Sequence, residues 1–409
     1  MRGLVLEGGG TKGAYQIGAY KALRSLGMEF QGVSGTSIGA LNGAYIVQDD
    51  IEVMEDIWLN YDYTYFMDID KDNYERIKDI SFSTKSFNSV LDLMNKARKN
   101  QGIDISPLRS LLENTLDERI LRESKKDFGL VTVYWDKKLN PHQLYIEDMP
   151  EGRLIDYLIA SSSLPIFQIN RMDDRLYLDG VFSDNIPVGL LKDKGYEDIV
   201  VIRLVDDLIG KMSLNKYSNM NVKTIIPSEY LGGSLNKDRD SVEKNIKLGY
   251  LDTMKAYERC DGVKYFFDLD YKFDDNYCFE MFRKLDKDVI ENICSLLNIK
   301  KDPNLRTLME VVIPKVGDIL NLAKNFSYQD LFYRIYETKL EENNINRVQL
   351  YDFNKVFNIV NTNIDSNNDI ISSFGSKPII QKNINLLKKH KTSKLLINSM
   401  ITGISEQSR

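Results

Sequence analysis

Histidine is nearly absent from this 409-residue chain, which has two. His142 stands beside a proline in LNPHQL, read as a loop between strands, and His390 stands in the basic run KKHKTS. Neither follows a late strand of a sheet, so a serine–histidine–acid hydrolase of the α/β type is disfavoured, and both read as surface histidines. Cysteine is scarce too. Cys260, Cys278 and Cys294 form no Cys-x-x-Cys pair and are odd in number, which disfavours a disulfide framework or a zinc site and suits a reducing compartment. No run approaches the roughly 18 apolar residues of a membrane span. The opening MRGLVLEGGG lacks the basic, apolar, small order of a secretion signal, so the expected location is the cytoplasm, either free or resting on a membrane surface. Basic excess is missing as well: Lys and Arg total 54 against 60 Asp and Glu, a net charge of −6, which argues against a nucleic-acid partner.

What is present is material for a large core. A hydrophobic fraction of 43% and a charged fraction of 28% are those of a globular protein, and the length exceeds that of most single cores. The run GLVL is cut off by EGGGTKG, after which Tyr15, Ala19, Ala22 and Leu26 recur at helical spacing. FQGVSG then gives a second short strand, and IGALNGAYIV a helix of small residues. Later runs LVTVYW, RLYLDG, DIVVIRLV and VKTIIPS are strand-like, with helical stretches between them. The pattern predicts an α/β domain with a mainly parallel central sheet flanked by helices. It spans residues 1–271 and carries a helical, aromatic-rich insertion at about 51–125, in which Ser106 is placed to cap a helix beginning at Pro107. KYFFDLDY reads as one more short strand of that domain, residues 272–409 as an all-helical region, and the polar stretch 361–369 as a loop.

Three stretches carry chemistry. VSGTSIGALNG sets Ser37 between Gly35 and Gly39, the Gly-x-Ser-x-Gly pattern of a sharp strand-to-helix turn that exposes a hydroxyl at a helix N-terminus. Alone it is a weak pattern, equally a glycine-rich turn. The strand before it and the small-residue helix after it strengthen the nucleophile reading. With no usable histidine, a base for Ser37 has to be a carboxylate. Two Asp-Gly dipeptides compete: Asp261 reads most simply as a turn residue, and Asp179, closing RLYL, is the better candidate at a strand end. The loop EGGGTKG leaves backbone N–H groups unobstructed, as an oxyanion hole requires. Its Gly8, Gly10 and Gly13 also satisfy a dinucleotide fingerprint, but the second strand ends in the Ser37 turn instead of an acidic residue, and no Ser or Thr follows Lys12 as a phosphate loop would need.

GGGTKG, GTSIG and DG in that order, without a usable histidine, resemble the patatin-like phospholipases. The resemblance covers residues 1 to about 270 and includes Ala160, Ser161 and Pro165 before the aspartate and Asn185 and Pro187 after it. It implies a three-layer patatin-like fold and a lipid acyl hydrolase with a Ser37–Asp179 dyad. It further implies an oxyanion hole in the loop of Gly8, Gly9, Gly10, Lys12 and Gly13, with N–H groups of Gly9, Gly10 and Ile38 on the oxyanion. Gly35, Thr36, Ile38 and Gly39 form the elbow, and Gly180 and Asn185 belong to the dyad loop. The substrate would be a lipid ester, with no metal or cofactor required. Alternatives are a transacylase and a catalytically silent lipid-binding scaffold. Two features depart from the pattern: Glu7 stands where aspartate is usual, and Val181 follows Gly180, so any need for positive φ is expected at Gly180 alone. Trp58 to Phe66 reads first as packing beneath the insertion and second as acyl-channel lining. The C-terminal LLKKHKTSKLLINSMI reads first as a solvated helix face, with peripheral membrane contact as the alternative. Oligomeric state stays open.

Overall fold

β1 (Arg2–Leu6) is an apolar run whose Leu4, Val5 and Leu6 are fully buried, as expected of a strand covered on both faces. The computed structural model describes residues 1–80, 102–136, 138–168, 170–172, 174–363 and 387–407. The chain divides into two compact units, Met1–Ala256 and Tyr257–Arg409. Residues 364–369 of the polar stretch and the His390 side chain lie outside the described residues.

The first unit is built on one sheet. β1, β2 (Gly32–Thr36), β3 (Asp127–Asp136), β7 (Asp198–Ile202) and β8 (Asn221–Ile225) run parallel in the order β3-β2-β1-β7-β8. β4 (Lys138–Tyr145), β5 (Asn170–Met172) and β6 (Arg175–Asp179) join antiparallel. Because successive strand residues point to opposite faces, helices can cover both. Leu6, Val33 and Phe128 face α2 (Ile38–Gln48) at Gly43. Val5, Ile199 and Val201 pack on the other side with Val188 and Leu191 of α8 (Val188–Asp193). α1 (Ala14–Ser25) and α10 (Arg239–Ala256) complete the α2 layer, so close that a Cβ on Gly18 would stand 1.7 Å from the Ile246 carbonyl oxygen. The described part of the insertion is helical: α3 (Ile51–Asn60), α4 (Lys71–Ile77), α5 (Ser106–Thr115) and α6 (Glu118–Glu123). α7 (Leu154–Ser161) and α9 (Leu208–Asn215) are the remaining helices used below.

β3 is the longest strand and its two edges are used differently. β4 occupies one edge from Gly129 to Asp136, so β2, beside residues 127–131, and β6, beside residues 132–135, share the other end to end. β6 thus enters from the direction opposite to β2.

The sequence expectations need correcting in detail. His142 is not in a loop but in β4, paired with Thr132. Its half-buried ring packs among Tyr134, Tyr157 and Tyr177. Pro141 is tolerated there because β4 is an edge strand, where a missing N–H costs no ladder bond. At the start of α5 it is Asp104 that accepts from Ser106, whose N–H stands 2.8 Å from Oδ1, and Ser106 takes the first helical position. Phe266 and Phe267 pair with Leu350 and Tyr351 of the second unit, not with the central sheet. That places the break at Ala256/Tyr257, and the C-terminal region holds this short parallel ladder besides its helices.

The second unit packs its helices, among them Asp275–Arg283, Lys287–Leu296, Tyr328–Glu342 and Phe353–Thr362, around an aromatic core with Phe273, Phe332, Phe353 and Phe357 at its centre. Buried Glu337 accepts from the N–H groups of Val263, Lys264 and Tyr265, which offsets its desolvation. Asp261 lies in this unit, where it exchanges backbone hydrogen bonds with Phe267 in an antiparallel bridge instead of standing in a turn, with Gly262 after it at φ 100° and the Tyr333 hydroxyl on its carboxylate. The three cysteines are buried.

Candidate active site

Ser37 follows β2 directly and precedes α2, at φ 55° and ψ −126°. This is a strained conformation for a residue with a side chain, and it turns the hydroxyl out of the strand–helix corner. Space decides the flanking glycines: a Cβ on Gly39 would lie 2.2 Å from the Leu6 carbonyl oxygen, and one on Gly35 would lie 2.3 Å from the Gly39 carbonyl. Thr36, between them, is buried and donates its hydroxyl to the Asp184 carbonyl at 2.7 Å.

Asp179 ends β6 at the point where β2 also ends. Its Oδ2 accepts the Ser37 hydroxyl at 2.6 Å and its Oδ1 accepts the Val181 N–H at 2.9 Å. The aspartate is fully buried and Ser37 is 7% exposed. Burial raises the Asp179 carboxyl to about 7, outweighing the lowering by its hydrogen bonds to Ser37 and Val181. Gly180 is required by space, not by φ: neither it nor Val181 has positive φ, and a Cβ on Gly180 would meet the Val131 oxygen at 2.3 Å. The valine after Gly180 is therefore unstrained.

The glycine loop leaves the end of β1 and lies across the same opening. The Gly8 N–H donates to the Asn185 side chain at 3.1 Å, and the Thr11 N–H donates to the Ser234 carbonyl at 2.9 Å. Both are therefore engaged. The Gly9 and Gly10 N–H groups have no partner among the described residues, and both residues line a narrow pocket with Ser37 and Asp179. Gly10 sits at φ 62°, with the Ser234 carbonyl where a Cβ would be. Ile38 opens α2, where the first N–H groups of a helix lack intrahelical acceptors. Lys12 and Gly13 are placed apart from the opening. Lys12 is buried beneath the loop, its amino group 5.8 Å from the Tyr230 ring centre, its basicity lowered by burial against the pull of Glu7 and Asp207. Gly13 gives its carbonyl to Asn42 at 2.9 Å and so ties α1 to α2.

Two supporting groups were not singled out by their chemistry in the sequence. The Ser161 hydroxyl accepts the Ser37 N–H at 2.9 Å and donates to the Val131 carbonyl at 2.7 Å, which pins the strained corner to β3. Arg203 is fully buried. Its Nε stands 3.0 Å from Glu7, which also accepts the Leu204 N–H, and it reaches Asp207 at 2.8 Å. A charge within the apolar run DIVVIRLV was the available signal for a buried partner, here Glu7.

From Ser37 an apolar cleft runs under the insertion, lined by Leu41, Trp58, Phe66, Met67, Leu108 and Phe167 among others. The aromatic stretch thus both packs and lines: Trp58 is 3% exposed and donates to Asn42. Lys237 closes one wall, its amino group held by the carbonyls of Trp58 at 2.5 Å and Tyr61 at 2.6 Å. Burial lowers its pKa to about 8.

A buried hydroxyl–carboxylate pair at a strand–helix elbow, faced by a glycine loop and backed by an apolar cleft, is an arrangement that can carry nucleophilic attack on an ester. Residues 4–192 match the family model described as patatin-like phospholipase. Among curated proteins it is similar to a lysophospholipase NTE1 of Eremothecium gossypii, 26% identical over 278 residues, covering 64% of this chain and 16% of that protein. A lysophospholipase nte1 of Aspergillus terreus is 51% identical over 47 residues, covering 12% of this chain and 3% of that protein. The chain thus spans less than a fifth of the length of these relatives. Of solved structures, VipD from Legionella pneumophila aligns with 98% of this chain and 90% of its own at 14% identity and a TM-score of 0.40. ExoU in complex with SpcU from Pseudomonas aeruginosa aligns with 84% and 78% at 14% identity and a TM-score of 0.29. No helix among the described residues is long and apolar enough to cross a membrane.

Proposed function

We propose that the protein hydrolyses a carboxylic ester of a single-chain lipid, a lysophospholipid foremost, through Ser37 and Asp179. The observation that carries this reading is the 2.6 Å hydrogen bond between the Ser37 hydroxyl and a fully buried carboxylate raised to about 7. A carboxylate with that pKa is half ionised near neutrality and basic enough to accept a proton usefully. Asp179 takes the Ser37 proton as Oγ attacks the ester carbonyl. The resulting oxyanion lies toward the N–H groups of Gly9, Gly10 and Ile38, donors of a kind worth about 3 kcal/mol each in comparable sites. Collapse of the tetrahedral intermediate breaks the bond to the alcohol, which leaves with the proton held by Asp179. Water then attacks the acyl-enzyme with Asp179 again as base, and the fatty acid departs. The apolar cleft takes the acyl chain, and the lysophospholipase names of the relatives favour a substrate with one chain.

The test is the intact mass after incubation with a long-chain fluorophosphonate. Wild type should gain one adduct, Ser37→Ala none, and Asp179→Asn one formed at least about 100-fold more slowly. An unlabelled wild type, under conditions that label a known serine hydrolase, would end the proposal.

A further inference from the structure

Four of the most exposed apolar side chains of the first unit fall together, Met1 at 71% exposure lying apart at the start of β1. Leu208, Ile209 and Met212 of α9 are 70%, 69% and 61% exposed, and Tyr230 is 74% exposed. Their position follows from the sheet. β1, β2 and β7 are parallel and in register, Leu6 beside both Gly35 and Ile202, so all three emerge at one edge. From that edge come the glycine loop, Ser37 and the segment leading to α9. Tyr230 is brought to the same rim by its own loop, whose Ser234, Leu235 and Lys237 line the cleft, and its ring centre stands 5.8 Å from the Lys12 amino group, which feels the charge of Asp207.

We propose that α9 and Tyr230 form the surface on which the protein seats against a phospholipid–water interface, with the cleft mouth toward the lipid. The proposal rests on the lipid-hydrolase reading. The occupant is chosen by area and charge. Four side chains offer a few hundred Å² of apolar surface, against about 800 Å² per partner in a stable protein complex. A bilayer accepts such isolated anchors, and Tyr suits its interface with an apolar ring and a polar tip. The acidic groups beside these side chains are already engaged, Asp206 with Lys211 at 2.7 Å, Asp207 with Arg203 at 2.8 Å and Glu229 with Lys244, so none of these three described carboxylates stands unpaired against an anionic headgroup.

The seat is also joined to the oxyanion loop. Asp207 caps α9 by accepting from the Gly210 N–H at 2.8 Å, and through Arg203 it connects to Glu7, the residue before the three glycines. Leu204 fills the space beside Gly9.

The experiment is co-sedimentation with phosphatidylcholine vesicles, read beside hydrolysis of monomeric p-nitrophenyl butyrate. Wild type and Ser37→Ala should both pellet. The triple variant L208Q/I209Q/M212Q should stay in the supernatant while cleaving the soluble ester within about twofold of wild type. Tyr230→Ser, on a separate loop, should lower the bound fraction by itself and guards against misfolding of the triple variant. A triple variant that pellets like wild type, or a wild type that does not pellet, overturns the proposal. So does a wild-type dimer that the triple variant dissolves, since the patch would then be a self-association face. A wild type that pellets but cleaves neither butyrate nor phospholipid keeps the seat and removes the hydrolase reading.

Discussion

Val131 and Thr132, consecutive in β3, are the ladder partners of Thr36 and Asp179 respectively. One peptide unit of β3 therefore sets how far the end of β2 lies from the end of β6, and with it the distance from the Ser37 hydroxyl to the Asp179 carboxylate.

The buried carboxylate should govern pH dependence. With Asp179 at about 7, kcat/KM for a soluble ester should rise through a single ionisation near pH 7 and level off above about pH 8. In Ser37→Ala the hydrogen bond that lowers the pKa is gone, so the carboxyl should titrate higher still, measured by NMR of the labelled aspartate.

The same group costs stability. Its folded pKa lies above the unfolded value near 3.8, so from about pH 4 to pH 7 the folded state holds a proton that the unfolded state releases, and stability falls as pH rises through that window. Asp179→Asn removes the penalty. It should be more stable than wild type at pH 8, by about 2–4 kcal/mol, with the gain fading below pH 4, as urea unfolding at both pH values would show.

Ser161 has no reacting atom to touch, yet it anchors the corner. Ser161→Ala leaves the buried Ser37 N–H without an acceptor, a loss of about 1–3 kcal/mol, and should lower kcat about 10- to 100-fold with KM little changed. Equal kcat in steady-state kinetics of the two proteins would refute this.

Glu7 and Arg203 should show strong coupling. Arg203→Met alone strands a buried carboxylate and should cost about 3–5 kcal/mol, whereas Glu7→Gln with Arg203→Met should recover a large part of it. Thermal melts of the two single variants and the double variant measure the difference.

Cleft length should be adjustable. Leu108→Trp fills the cleft under the insertion and should reduce hydrolysis of long-chain esters about 10-fold or more, with a butyrate ester unaffected, in a chain-length series.

What was legible in the sequence was local. The elbow, the glycine loop and the strands before them announce themselves within a dozen residues, because glycine spacing and apolar runs report on adjacent backbone. Asp179 is legible as a strand end, but RLYL reads as one more strand of a mainly parallel sheet, and the antiparallel entry of β6 depends on a partner more than 40 residues away. Phe266 and Phe267 read as a last strand of the sheet for the same reason: their partners at 350 and 351 leave no mark nearby. Pro141 misled about His142 because a proline signals a loop unless the strand is known to be an edge. Arg203 is marked by its place in an apolar run and Ser161 by its place before Pro165, but only folding shows what each hydrogen-bonds.

The meeting of β2 and β6 on one edge of β3 also bears on synthesis. Ser37 leaves the ribosome long before Asp179, and neither can approach the other until β3 has been made and paired with both. A partly translated chain therefore has a hydroxyl without its base. The ester cleavage proposed for this pair therefore has to wait until β3 and β6 have both been made and assembled beside β2.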